Sequence, residues 1–150
     1  MSPAARYLRD AAVFAPCYIA LDWASYIDPL GPFNITPWNP QPALALVWML
    51  LGGLHHFPAV LATVFAADVL IRHAPAGYLI TALTSGAIAI GYLCVVAALR
   101  AMLGQSALRG TRQLTVFIAV VLAGSAVVGA QFVGILRGAG LLVDIPMPVA

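Results

Sequence analysis

NITPWNPQPALALVWMLLGGLHHFPAVLATVFAAD, residues 34–68, is a proline-stiffened aromatic turn followed by two apolar runs. The turn holds Pro37, Trp38, Asn39, Pro40, Gln41 and Pro42, and the runs cover 43–51 and 59–67. Asn39 is a good N-cap, because its side-chain oxygen accepts an orphan backbone N–H. A proline in the first helical turn loses nothing, since its missing N–H has no partner there. Gly52-Gly53 is the matching stop signal and Pro58 restarts a helix. The stretch therefore predicts a short helical hairpin over about 41–71, with arms 41–53 and 57–71, closing on Asp68. At 1.5 Å per residue the arms are roughly 20 and 22 Å long, against a hydrocarbon core of roughly 30 Å. Either they extend into Trp38 and Arg72 and span, or the hairpin is re-entrant. Both versions return the chain to one side.

The rest of the chain fits a lipid environment. It is 63% hydrophobic and 8% charged, with no Lys, no Glu and a mean hydropathy of +0.99, far outside the soluble range. Runs of membrane length recur. The expectation is an all-α, polytopic membrane helix bundle of a single domain, 1–150, with spans at about 11–27, 41–53, 57–71, 78–99 and 113–136. The net charge of +2 is seven Arg against five Asp. Those Arg residues are scattered at helix ends, so nucleic acid is not indicated as a partner. Cys17 and Cys94 fall inside apolar runs without metal or redox spacing and read as small hydrophobes.

Arg6 and Arg9 precede the first run in the order of a signal peptide, but Pro16, Asp22, Trp23 and Tyr26 make it a retained span, kinked at Pro16. The spans at 78–99 and 113–136 carry small residues, including Gly91, Gly124 and Gly129, that let helices approach closely. With five spans and the N-terminus inside, Arg6, Arg9, Arg100, Arg109 and Arg112 lie on the cytoplasmic side and Arg72 and Arg137 outside. The C-terminus is then outside, and the expected location is the bacterial inner membrane.

That orientation assigns a depth to each polar group. Asp22 and Tyr26 fall in the outer half of the first span, Trp38 and Asn39 at the outer lip, and Asp68 one turn below Arg72. An Asp at a helix centre costs roughly 2.5–3.5 kcal/mol to insert, so such groups face the bundle interior or a wet cavity. Asp22, Tyr26, Trp38, Asn39, Asp68 and Arg72 are the candidate ligand-binding residues, converging on a pocket open to the outer face. Structural roles compete at each position. Asp68 and Arg72 are spaced to pair along one helix, Asp22 could fasten the lip, and Trp23, Trp38 and Tyr78 suit a membrane interface for their amphipathic rings alone.

His55 and His56 invite a metal reading. Neighbouring side chains on a helix point about 100° apart and rarely share an ion, so the pair reads as interfacial histidines, with a pH response as the alternative. No metal site, cofactor or catalytic constellation is expected, since no motif for nucleophilic, zinc or phosphate chemistry occurs. The expected partners are the lipid bilayer, a small ligand at the outer face, and a second copy or other membrane helices.

The lip Pro37-Trp38-Asn39-Pro40, the run 43–51, Gly52-Gly53, Phe57-Pro58 and Asp68 resemble the membrane-associated sensor (MASE-type) domains of bacterial histidine kinases and diguanylate cyclases. The small-residue span 78–99 fits as well. The resemblance covers residues 37–99 and implies a sensory input module that relays ligand binding to a cytoplasmic output domain. Such domains have more spans than five and end inside the cell, where this chain differs. Two other classes stay open: the small-molecule-binding membrane subunit of an energy-coupling-factor type uptake transporter, and an assembly subunit that binds nothing small.

Overall fold

The computed structural model describes residues 2–26, 39–104 and 110–141, and of Pro3 the backbone alone. Trp38, the rest of the lip before it, Arg109 and the tail from residue 142 lie outside the described residues. Within them the chain is all-α: α1 (Pro3–Ser25), α2 (Gln41–Gly52), a 3-10 turn (Leu54–His56), α3 (Phe57–Leu70), α4 (Tyr78–Leu103) and α5 (Thr111–Gly138).

The ends of these helices follow from local chemistry. The Ser2 hydroxyl accepts from the Ala5 N–H at 3.2 Å, and Pro3 occupies the first turn. That cap starts α1 eight residues earlier than the apolar run suggested, so Arg6, Arg9 and Asp10 belong to the helix. Asn39 is not the cap of α2. Pro40 holds that position without a side-chain bond, and Asn39 is exposed. At the other end of α2, Gly53 stands at φ +115°, in the region that favours glycine, and its N–H reaches the Met49 carbonyl at 2.9 Å. Arg100 of α4 donates to the Leu50 carbonyl at 3.1 Å, supplying an orphan acceptor of the helix end.

α4 is the central element. It packs on α5 along one side and on α2 and α3 along the other, and α1 closes the bundle against α2 and α3. The core lies among α1–α4, around Phe14, Met49, Val60, Val64, Tyr92 and Val96. α5 stands apart: α4 is its main support, and of its residues only Leu136 is buried.

Among the described residues two helices, α4 and α5, are long and apolar enough to cross a membrane. The expected five membrane segments are not matched by five such helices. α2 and α3 have 12 and 14 residues, about 18 and 21 Å, and α1 carries Arg6, Arg9, Asp10 and Asp22. Cys17 and Cys94 are free thiols exposed on the bundle surface.

Candidate functional site

Asp22 lies one turn from the end of α1, Gln41 is the first residue of α2, Asp68 is in the last turn of α3, and Ser85 is in the first third of α4. Arg72 follows α3 in a turn where His73 and Ala74 both take positive φ, 57° and 46°. The Ala74 N–H bonds back to the Asp68 carbonyl at 3.2 Å, which folds the turn onto the helix end and directs Arg72 inward. Left-handed backbone is costly for residues with a Cβ, and two in succession are held only by their surroundings.

The four elements meet in one cluster. Asp22 Oδ1 accepts from Gln41 Nε2 and, at 2.6 Å, from Arg72 Nη2. Arg72 Nη1 stands 3.6 Å from Asp68 Oδ1, and the Ser85 hydroxyl donates to Asp68 Oδ2 at 2.7 Å. Asp22 is 2% exposed and Gln41 is equally buried. Tyr18 of α1 and Tyr92 of α4 are buried together in the core. Asp22 Oδ2, Gln41 Oε1 and Arg72 Nε are buried without a hydrogen-bond partner among the described residues. Unpaired groups at such depth are uncommon in structural networks and mark a cluster with bonding capacity left over.

Beside the cluster, a groove of about 410 Å³ runs between α2 and α5 over α4. Pro42 and Leu46 form one wall, Val121 to Val133 the other, and Tyr92 and Ile88 the floor, with Arg72 and Asn39 in its lining. A second cavity of about 40 Å³ touches Asp68, Arg72, Thr81 and Thr84, enough room for a water molecule, which needs roughly 10–15 Å³.

The sequence-derived site is brought together in part. Asp22, Asp68 and Arg72 join directly, and Arg72 and Asn39 line the groove. Tyr26 is the C-cap of α1, its N–H on the Trp23 carbonyl at 3.1 Å, and is half-buried. Trp38 lies outside the described residues. The i,i+4 pairing of Asp68 with Arg72 forms, but the shorter contact of Arg72 is to Asp22, fifty residues away. Gln41 and Ser85 belong to the cluster although the sequence reading left them out of the site. Each is a polar residue at the start of or within an apolar run, the same signal that singled out Asp22.

At the opposite end, His55 and His56 occupy the 3-10 turn rather than an α-helix, so their rings lie 4.2 Å apart instead of diverging. His56 is buried, stacked on Tyr7 of α1 at 5.4 Å and on Trp48 of α2 at 4.3 Å, while Trp48 stacks on Phe14 at 4.0 Å. Among the described residues no group of three His, Cys, Asp or Glu side chains could hold a metal ion. Burial pushes the His56 pKa below that of a free imidazole, neighbouring His55 adds to this, and Asp10 opposes it. The folded state therefore favours neutral His56. Stability is full above the unfolded value of about 6.5 and falls as the pH drops below it, by at most about 1.4 kcal/mol per pH unit. Melting in detergent should weaken from pH 7 to pH 5, and His56→Phe should flatten that slope. A slope unchanged by the substitution would assign the acid sensitivity elsewhere.

No known protein family, curated protein or solved structure matches this chain.

Proposed function

We propose that this chain is the input module of a bacterial membrane signalling protein, of the MASE-type kind its central stretch resembles. In this reading α1, both arms of the α2–α3 hairpin, α4 and α5 are five segments in the cytoplasmic membrane, with the N-terminus inside and the C-terminus outside. The Arg distribution supports the orientation. Burial of Asp22 against Arg72 supports the embedding of α1, because a paired carboxylate is hidden from hydrocarbon. A small ligand binds at the outer end, around Asp22, Tyr26, Trp38, Asn39, Asp68 and Arg72, and the event passes to a cytoplasmic output domain.

The observation that carries the reading is the Arg72 cluster. It fastens α1, α2, α3 and α4 to one another immediately beside the groove. A ligand that takes one of Arg72's bonds changes what holds α1 to α3, and a ligand shifts an equilibrium only through such differential contacts. The test is mass spectrometry of small molecules co-purifying with the detergent-solubilised protein, wild type beside Asp68→Asn. The substitution keeps the shape and an acceptor for Ser85 while removing a charge. A molecule retained by the wild type and depleted in the variant is the expected result. If nothing co-purifies with either protein and only the melting temperature moves, the cluster is structural. That outcome favours an assembly subunit, a reading the exposed length of α5 supports.

A further inference from the structure

The groove between α2 and α5 has largely apolar walls and, among the described residues, a single charged one in its lining, Arg72. Its volume of about 410 Å³ falls among small-molecule pockets, which run from roughly 300 to 1,000 Å³. Its floor, Ile88 to Val95, is the middle of α4, and its far wall is α5. These are the two helices long and apolar enough to cross a membrane, so the groove lies at hydrocarbon depth. A ligand there is apolar along its body and arrives from the bilayer.

The charge at the outer end selects the head group. Arg72 faces two carboxyl groups, Asp22 and Asp68. With both ionised the three side chains sum to −1, and with one protonated they sum to zero. In neither state is the cluster positive, so Arg72 has no net charge left to neutralise an anionic head. A cationic head would meet the guanidinium first, because Arg72 lines the groove and the two carboxylates stand behind it. An uncharged head bearing a carbonyl, ether or hydroxyl oxygen has neither problem. It accepts from the donors that Arg72 and the Asn39 amide have to spare, and it loses little on leaving water. We infer that the groove binds an uncharged lipophile drawn from the bilayer, its oxygen-bearing head at Arg72 and Asn39 and its apolar body along α4 and α5. This rests on the ligand-binding reading above and gives that site its ligand class.

The test uses the full chain in phosphatidylcholine nanodiscs and three diazirine probes of equal chain length: an alcohol, an alkyl sulfonate and an alkyl trimethylammonium. Labelled positions are mapped by peptide mass spectrometry. A Cβ placed at Gly129, which lines the groove, meets no atom within 4 Å, so Gly129→Phe starts from open space and brings a ring to the groove wall. Gly134 is equally open but away from the groove, and Gly134→Phe is the control. The alcohol should label the groove residues of α2 and α5 at least roughly tenfold more than either charged probe, a preference of 1.4 kcal/mol. Gly129→Phe should abolish this labelling and Gly134→Phe should leave it. Equal labelling by all three probes, lost in Gly129→Phe, overturns the head-group assignment while leaving the ligand-binding reading intact. Labelling that Gly129→Phe does not reduce overturns the groove itself. The co-purification experiment then decides separately whether any ligand binds. Disulfide cross-linking of Ser125→Cys between two copies, with no probe labelling, would assign the groove to a second copy and overturn the inference.

Discussion

Arg72→Met should cost the bundle about 3–5 kcal/mol, the usual result of removing one member of a buried ion pair. Asp22 and Asp68 would both lose their counter-charge while staying inside, at 3% and 17% side-chain exposure. Gln41 and Ser85 would still donate to them, but neither supplies charge. The measurement is thermal or denaturant unfolding of the detergent-solubilised protein. The informative companion is the triple variant Arg72→Met, Asp22→Asn, Asp68→Asn, which removes the stranded carboxylates along with the guanidinium. It should recover most of the loss, because a buried ion pair replaced by uncharged groups of similar size is often close to neutral. A triple variant as unstable as the single would mean that Arg72 acts through packing of its aliphatic stem and not through charge.

How much of this was legible in the sequence differs from element to element. The hairpin was readable almost to the residue, since Gly52-Gly53 and Pro58 are backbone signals that act locally whatever surrounds them. The start of α1 was not, because Ser2 and Pro3 supply a cap that owes nothing to the apolar run beginning at residue 11. Asn39 failed as a cap for the converse reason. The position went to Pro40, and Gln41, the next residue, turned its side chain back to Asp22. The cluster itself was half legible. The cost of an Asp in lipid says that Asp22 and Asp68 must be answered from within the protein, and Arg72 is the nearest cation to Asp68 in sequence. That one guanidinium answers both carboxylates depends on the turn at His73 and Ala74, whose left-handed backbone no glycine announces. The groove was the least legible feature, because it exists through the distance between α2 and α5, two helices placed by their separate contacts with α4.

That distance is set in part by two glycines, which gives the second large expected effect. On α4, a Cβ at Gly91 would run into the Val128 side chain. On α5, one at Gly124 would run into Val95. The contacts are reciprocal: each helix sets a valine into the space left by the other's missing side chain, four residues apart on each. Close approach through small residues is how helices hold together where no hydrophobic force separates them from lipid. α4 is the main support of α5, so the attachment of the fifth helix leans on this pair. Gly91→Val and Gly124→Val should each destabilise the protein by about 1–3 kcal/mol, the range for overpacking a fitted contact, and the double variant should release α5 from α4. The cause can be isolated. Val128→Ala, which empties the space that a side chain at Gly91 needs, should recover part of the loss in Gly91→Ala and so give a measurable coupling between the two positions. Gly129→Ala, which meets no neighbour, should have no comparable effect. If Gly91→Ala and Gly129→Ala were equally tolerated, and Val128→Ala rescued nothing, α5 would not be held by this interlock, and the width of the groove would have to be set elsewhere.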